Sequence, residues 1–286
     1  MDRPRQGPRG GVARRVAMDD GVTLASVGYG SPDAPGLLLV HGFGGAKEDF
    51  ADHVVDLATD HHVVVFDHRG HGASDAPADP GAYSLDRLAA DTLAVADAHA
   101  LQDLRLLGHS MGGMVVRRVM LHHPGRSKAL VLMDTSPGAP PGIDPDLVAA
   151  GVAIVEAGGM EALRAAQDEL ELLGSPAYQR LLSERPGFRE YTERKWASLS
   201  PVMWAALAHE IVAQPDELDT LADVVDVPTL VVVGEQDSVF LPGAHATARA
   251  VRGAVLAVIP DAGHSPQFEN PDEWYRVLRT FLATLP

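Results

Sequence analysis

The stretch LRLLGHSMGG, residues 104–113, joins a short apolar run to a Gly-x-Ser-x-Gly motif. An unbroken apolar run predicts a strand that is covered on both faces, and residues 111–123 have helical spacing. Strand, motif and helix in this order are typical of the tight turn that presents a nucleophilic serine. The helix would also direct its N-terminal N–H groups towards Ser110. We therefore interpret Ser110 as a nucleophile.

Apolar runs of the same kind recur on both sides of this stretch. They lie at residues 36–40, 63–66, 129–133, 229–233 and 255–259, and two β-branched stretches lie at residues 12–17 and 22–27. Helical spacing separates several runs, as at residues 85–100 and 271–285. This alternation predicts an α/β fold with a doubly wound, mostly parallel sheet that has helices on both faces.

One interval, between residues 133 and 229, has no such run. It shows helical spacing instead, at residues 147–156, 160–173, 178–182, 188–199 and 203–212. Long inserts in such folds commonly cover the site, so we expect a helical cap (lid) at residues 137–222. The α/β core would then comprise residues 16–136 and 223–286. Residues 1–15 hold five arginines and no apolar segment, which predicts a disordered arm rather than a signal peptide.

Composition limits the classes of partner. The 286 residues carry a formal net charge of −16, so the field of the protein repels nucleic acid and anionic membrane surfaces. A small, largely neutral substrate suits that field better than an anionic one. Cysteine is absent, which excludes disulfides and thiolate chemistry and is compatible with a cytoplasmic location. No apolar run approaches the length of a membrane span.

A second glycine-rich turn follows the strand at residues 36–40. It reads His41-Gly42-Phe43-Gly44-Gly45. Such a turn can offer a backbone N–H to an oxyanion, and the residue after the nucleophile offers another. We expect the two donors to be the N–H groups of Phe43 and Met111. An ordinary strand-to-helix turn would give the same sequence pattern.

Several segments together resemble the α/β-hydrolase superfamily, in its branch of small serine esterases, enol-lactonases and cofactor-free haloperoxidase-like enzymes. Besides the two turns, the matching segments are residues 67–75 (DHRGHGASD), 234–237 (GEQD) and 263–264 (GH). They occur in the family order and span residues 17 to 285. The resemblance implies an α/β-hydrolase fold and a Ser–Asp–His catalytic triad.

The resemblance assigns the other two triad members as Asp237 and His264. Asp237 lies just past the strand at residues 229–233, where side chains project towards the site of a doubly wound sheet. His264 lies on a loop after the last strand, and the order Ser110, Asp237, His264 is that of the fold. Asp134, directly after the strand at 129–133, is the alternative acid, since some relatives take the acid from that strand end.

Other candidate residues have weaker signals. Trp196, Met203 and Trp204 could line a substrate pocket in the cap or form the cap's own small core. The resemblance gives Asp67 and Arg69 an architectural role, fixing a loop by charge-assisted hydrogen bonds. Several histidines are adjacent in sequence, but no carboxylate-rich motif accompanies them, and this pattern does not favour a metal site. We expect no metal and no cofactor.

The function that these patterns predict is hydrolysis of a carboxylic ester or lactone through an acyl-enzyme on Ser110. Two alternatives stay open at the level of sequence. The same triad serves perhydrolases, haloperoxidase-like enzymes, carbon–carbon bond hydrolases and lyases of this superfamily. A member that binds a ligand or signals, with slow turnover, would also keep these residues.

Overall fold

The sheet that the sequence predicts contains eight strands. The computed structural model describes residues 10–169 and 174–286. The strands are β1 (Val12–Ala17), β2 (Thr23–Tyr29), β3 (Gly36–Val40), β4 (His62–Phe66), β5 (Arg105–His109), β6 (Ala129–Met133), β7 (Thr229–Gly234) and β8 (Val255–Ile259). Their spatial order is β1-β2-β4-β3-β5-β6-β7-β8, and all neighbours beyond the antiparallel β1–β2 and β2–β4 pairs are parallel. The fold is therefore the expected doubly wound, mostly parallel α/β sheet.

Eleven α-helices connect or flank these strands within the described residues. They are α1 (Val54–Leu57), α2 (Leu85–Ala98), α3 (Met111–His122), α4 (Pro145–Glu169), α5 (Pro176–Glu184), α6 (Phe188–Ala197), α7 (Pro201–Ala213), α8 (Leu218–Val224), α9 (Leu241–Ala250), α10 (Pro266–Glu269) and α11 (Pro271–Leu282). None of the helices in this part of the chain is long and apolar enough to cross a lipid bilayer.

The core lies on both faces of the sheet because side chains alternate along each strand. On β3, Leu38 belongs to the apolar cluster that includes α2 and α3, whereas Leu37 and Leu39 belong to the cluster that includes α1 and α11. The register repeats this pattern across the sheet, since Leu38 lies between Val64 of β4 and Leu106 of β5. Burial of every residue of these strands explains why their sequences are unbroken apolar runs.

The interval between β6 and β7 is helical, as expected, and α4 to α7 supply its helices. The predicted helices at 147–156 and 160–173 form the single element α4, which is interrupted at Gly159. Residues 170–173 of the second prediction lie outside the described residues. The predicted cap boundary at residue 222 stays a prediction. Helix α8, which crosses that boundary, packs against α3 and α9, and its Leu221 is buried.

Part of the predicted disordered arm is ordered. Residues 12–15 belong to β1, which pairs with β2 in antiparallel register, with Arg14 opposite Ser26. The arginine side chains also have partners, since Arg14 donates to the carbonyl of Ala98 and Arg15 to the carboxylate of Asp75. Residues 12–15 therefore belong to an edge strand, although the arginine content of residues 1–15 indicated disorder. The charged side chains of this strand point to solvent and to polar partners. Residues 1–9 of the predicted arm lie outside the described residues.

The segment after β4 is fixed by charge, as the sequence analysis expected. The Asp67 carboxylate accepts hydrogen bonds from Lys47 Nζ at 2.7 Å and from the backbone N–H groups of Lys47 and Ala73. The guanidinium of Arg69 donates to both carboxylate oxygens of Asp91, at 2.7 and 2.9 Å. Neither side chain of this second pair has exposed surface. The architectural role predicted for Asp67 and Arg69 is therefore confirmed.

The substitution Arg69→Met tests this buried pair. It removes both hydrogen bonds from Arg69 to the buried Asp91 carboxylate and leaves Arg87 Nε, at 3.2 Å, as the remaining cation, so the free energy of unfolding should fall by about 3 kcal/mol at pH 7. The measurement is urea-induced unfolding followed by far-UV circular dichroism. Arg252→Met is the matched control, because Arg252 pairs with Asp226 on the surface and exposed pairs contribute little. Equal unfolding midpoints for both variants would contradict the assigned role of Arg69.

Candidate active site

Ser110 occupies the turn between β5 and α3 with a strained backbone. Its φ of 54° and ψ of −121° lie outside the regions that L-residues ordinarily adopt. The turn is tight because glycines flank it: a side chain on Gly108 would overlap the backbone of Gly112, and one on Gly112 would overlap the carbonyl of Val40. The Gly-x-Ser-x-Gly pattern is therefore required sterically. It holds the serine at the carboxyl edge of the sheet.

The loops after β7 and β8 bring an acid and a base to this serine. Nε2 of His264 lies 2.9 Å from Ser110 Oγ, and Nδ1 lies 2.7 Å from Asp237 Oδ2. A carboxylate only accepts, so Nδ1 carries the proton, and Nε2 is free to accept from the serine hydroxyl. The ring of Phe240 stacks on the imidazole with centroids 4.9 Å apart. The three residues predicted from the sequence thus form one hydrogen-bonded series.

The environment of Asp237 stabilises its charged form. Burial alone would raise the pKa of Asp237, but the hydrogen bond and charge of His264 and the hydrogen bond from the Phe240 N–H hold that pKa below its ordinary value. Asp237 therefore favours its charged form, which can accept the hydrogen bond from the imidazole. This is the electrostatic requirement for the acid of a Ser–His–Asp series.

Asp134 lies beside this series but has a different set of contacts. Its Oδ1 accepts a hydrogen bond from the Gly234 N–H at 2.9 Å, and its side chain is completely buried. Burial, and then the negative charge of Asp237, raise the pKa of Asp134 well above its ordinary value. Among the residues that the structure describes, it is Asp237 and not Asp134 that contacts the imidazole. Asp134 is placed to support Asp237 rather than to replace it.

The same three residues are the closest approach to a metal site within residues 10–169 and 174–286. One ligand atom from each of Asp134, Asp237 and His264 lies within 4.8 Å of the others. Both imidazole nitrogens are already used, however, because Nδ1 binds Asp237 and Nε2 binds Ser110. A hydrogen-bonded series accounts for the cluster, and the expectation of no metal stays a prediction.

The glycine-rich turn after β3 lies against the nucleophile turn. A side chain at Gly42 would approach Ser110 Cβ to 2.9 Å, which places the neighbouring Phe43 N–H close to the serine. Met111 is the first residue of α3, so its N–H has no acceptor within the helix. In the part of the chain that the structure describes, neither of these N–H groups donates a hydrogen bond. Both predicted oxyanion donors are thus available to a ligand.

Two buried histidines hold this turn, and the sequence analysis gave them no role. His41 donates from Nδ1 to the Gly42 carbonyl and accepts the His68 N–H on Nε2. His71 accepts the Gly44 N–H on Nε2. Burial lowers the pKa of His41 well below its ordinary value and that of His71 to about 4, so both rings are neutral at pH 7. Only a neutral ring can accept and donate in this way.

His109 supports the base from the other side. Its Nε2 lies 2.6 Å from the carbonyl oxygen of His264 and donates to it. Burial, followed by the nearby His264 ring, lowers the pKa of His109 to about 4. His109 is therefore a neutral orienting residue, in agreement with its position beside the nucleophile in sequence.

The cap residues predicted to line a pocket have separate positions. The ring of Trp204 packs on Phe43 with centroids 5.6 Å apart, directly over the glycine-rich turn. Trp196 donates its indole N–H to the Met160 carbonyl and lines a cavity of about 640 Å³ in the cap. Met203 is completely buried in the main core cluster. Packing thus explains Met203, whereas the two tryptophans remain partly exposed.

A charge cluster joins α6 to the segment after the glycine-rich turn, and no sequence pattern indicated it. Asp49 is almost completely buried and accepts from the Ala46 N–H, from Lys195 Nζ at 2.7 Å and from the Tyr191 hydroxyl. Burial and the Asp49 charge raise the pKa of Tyr191 far above its ordinary value, so the hydroxyl stays protonated and donates. Helix α6 is thereby tied to the loop that carries the Phe43 N–H.

A hydrogen-bonded Asp237–His264–Ser110 series at the carboxyl edge of a doubly wound sheet is the arrangement of the Ser–His–Asp hydrolase class. Residues 35–271 match the family model for the alpha/beta hydrolase fold, and the chain belongs to that family. Its resemblance to the branch of small esterases, lactonases and haloperoxidase-like enzymes is likewise confirmed. Enzymes of this family act on small-molecule substrates.

Three relatives illustrate the range of chemistry. The N-acyl homoserine lactone degrading enzyme Est816 is 30% identical, with a TM-score of 0.76 over 94% of this chain and 100% of that one. A thermophilic esterase from Thermogutta terrifontis is 27% identical, with a TM-score of 0.81 over 96% and 98%. A 2-hydroxymuconate semialdehyde hydrolase of Pseudomonas putida is 28% identical over an alignment of 303 positions, gaps included, that covers 99% of this chain and 98% of that one.

Asparagine substitutions at the two aspartates test which one serves the imidazole. Asp237→Asn should lower kcat for p-nitrophenyl acetate by about 10⁴-fold, because an amide no longer holds Nδ1 protonated. Asp134→Asn is the matched control, since asparagine has nearly the same shape and keeps an acceptor oxygen for the Gly234 N–H. We expect it to stay within about tenfold of the wild type. The opposite ranking would make Asp134 the acid.

Proposed function

We propose that this protein is a serine hydrolase that cleaves a carboxylic ester or lactone of a small to medium, largely neutral substrate. The observation that carries the proposal is the hydrogen-bonded series Asp237–His264–Ser110 beside two backbone N–H groups without acceptors. Similarity to a lactone-degrading enzyme and to an esterase supports the same reaction class. A cytoplasmic location stays a prediction, which rests on the absence of cysteine.

The proposed reaction begins at the hydrogen bond between Ser110 and His264. His264 Nε2 accepts the Ser110 proton as Oγ attacks the carbonyl carbon, and the Asp237 carboxylate stabilises the resulting imidazolium. The N–H groups of Phe43 and Met111 would stabilise the oxyanion, each contributing roughly 10²–10³-fold in rate. The imidazolium then gives its proton to the leaving alcohol, which completes the acyl-enzyme. Water activated by His264 attacks the acyl carbon and releases the acid.

The residues over the glycine-rich turn favour a substrate of particular size and polarity. Trp204 lies over Phe43, so a group attached to the acyl carbon would meet an aromatic surface next to the oxyanion donors. Lys195, the cation of the charge cluster around Asp49, is already paired with that carboxylate. An anionic substrate would therefore find no unpaired cation in this cluster and would be repelled by the net charge of −16. These features favour a neutral acyl group.

Hydrolysis of a carbon–carbon bond next to a ketone is the second candidate function. The similarity to a 2-hydroxymuconate semialdehyde hydrolase over almost the whole chain favours it, and the same series of side chains could serve that reaction. Parallel assays with p-nitrophenyl esters and with a vinylogous 1,5-diketone would rank the two activities. A higher kcat/KM for the diketone would replace ester hydrolysis as the proposed function.

Removal of the nucleophile is the direct test of the ester reaction. Ser110→Ala should lower kcat for p-nitrophenyl esters by at least about 10³-fold, because residual binding groups alone cannot form the acyl-enzyme. The matched control is Ser183→Ala, which removes an exposed hydroxyl from the cap helix α5. Turnover by Ser110→Ala that equals turnover by the control would exclude the proposed mechanism.

Truncation of the cap tryptophans tests the acyl surface. Trp204→Ala should shift the ratio of kcat/KM for hexanoate over acetate esters upward by about tenfold, because it opens space beside Phe43. Trp196→Ala, measured in parallel, would change this ratio only if the cap cavity that Trp196 lines receives the acyl chain. An unchanged ratio in both variants would contradict a role of the cap aromatics in acyl selection.

A further inference from the structure

A buried glutamate holds the loop that carries His264. Glu269 is the last residue of α10 and is only 7% exposed. Its Oε2 accepts the Gly263 N–H at 2.7 Å and the Ser265 N–H at 3.0 Å. These two N–H groups belong to the residues immediately before and after His264. One carboxylate oxygen therefore holds the backbone on both sides of the imidazole.

Backbone hydrogen bonds give this carboxylate a fixed position. The N–H groups of Phe268 and Glu269 donate to the carbonyl of Ser265 at 2.9 and 3.0 Å, which closes the short helix α10 over the loop. Burial raises the pKa of Glu269, while the N–H groups of Ser265 and Gly263 and the neighbouring His264 favour its charged form. An acceptor that is buried and used twice cannot be replaced by water without a rearrangement of the loop.

The cap contacts the same carboxylate. Ser175, which precedes α5, lies with Oγ 3.4 Å from Glu269 Oε1. From the same helix, Arg180 donates to the carbonyls of Asp261 and Glu269, at 2.9 and 3.1 Å. The Ala177 N–H donates to the side chain of Gln236, next to Asp237 in sequence. Helix α5 and the serine before it thus contact both the loop that carries His264 and the loop that carries Asp237.

We propose that Glu269 is a positioning residue for the reaction, which keeps His264 Nε2 at hydrogen-bond distance from Ser110 Oγ by holding the flanking N–H groups. The inference rests on the proposed serine hydrolase function. Glu269 acts through the backbone of the base and touches no reacting atom. Without this carboxylate the loop is no longer held. His264 Nε2 then spends less time at hydrogen-bond distance from the Ser110 hydroxyl, whose proton it must accept.

Two substitutions separate positioning from general stability. Glu269→Ala removes the shared acceptor, and kcat for p-nitrophenyl acetate should fall about 10- to 100-fold. KM should stay within about twofold, because the acyl surface under the cap is unchanged. Glu269→Gln keeps an acceptor oxygen, and we expect its kcat to recover to within about fivefold of the wild type. Glu273→Ala, at an outer position of α11 paired with Arg276, is the matched control and should leave kcat unchanged.

Hydrogen exchange measures the loop directly. In ¹⁵N-labelled full-length protein, the N–H groups of Gly263 and Ser265 should lose at least about tenfold of their protection in Glu269→Ala and keep most of it in Glu269→Gln. A kcat for Glu269→Ala within twofold of the wild type would overturn the proposal. Equal impairment of the alanine and glutamine variants would also overturn it, because glutamine retains the acceptor.

The two proposals can fail separately. A wild-type protein that turns over no ester would contradict the serine hydrolase function, and exchange at Gly263 and Ser265 would still decide whether Glu269 holds the loop. Wild-type turnover with unchanged exchange in Glu269→Ala would leave the proposed function intact and overturn the positioning role.

Discussion

The left-handed turn at Ser110 is the constraint on which the rest of the structure depends. The turn exists only because glycine at position 108 lets α3 approach β5 and glycine at position 112 lets α3 approach the end of β3. That approach in turn requires the flanking strands to be buried on both faces, which accounts for the apolar runs. Every other group of the candidate site is placed relative to this turn by a loop at the same edge of the sheet.

Much of this architecture could be predicted from local sequence. The apolar runs at residues 36–40, 129–133 and 255–259 coincide with β3, β6 and β8. Strands β3 and β6 are buried at every residue, which accounts for their unbroken apolar runs, whereas β8 is an edge strand in which Val255 and Val258 are exposed. Helix α9 was missed, since it begins with Leu241-Pro242-Gly243 and is rich in small residues, which leaves little apolar spacing. Edge strand β1 was only partly predicted, because residues 12–15 lie both in the β-branched stretch at 12–17 and in the arm at 1–15, whose arginine content indicated disorder.

Site residues that belong to a local motif could be predicted from the sequence. Residues whose role depends on contacts with distant parts of the chain could not. Asp134 and Asp237 both follow strands, β6 and β7, that are neighbours in the sheet, so the strand pattern could not rank them, and only the resemblance favoured Asp237. The hydrogen bond to His264 distinguishes them, and it requires the folded loop. The contacts of Asp49 with Tyr191 and Lys195 of α6 join residues that lie 142 and 146 positions apart in the chain. No local pattern reports such pairs.

The central claim is that Ser110 is the nucleophile of this site, and the most direct measurement is the location of a covalent adduct. The protein would be incubated with a fluorophosphonate, digested and mapped by tandem mass spectrometry. The account predicts one phosphonyl adduct, on Ser110, with labelling much slower in His264→Ala because the general base is lost. An unlabelled Ser110, or an adduct on another residue at a comparable rate, would contradict the account.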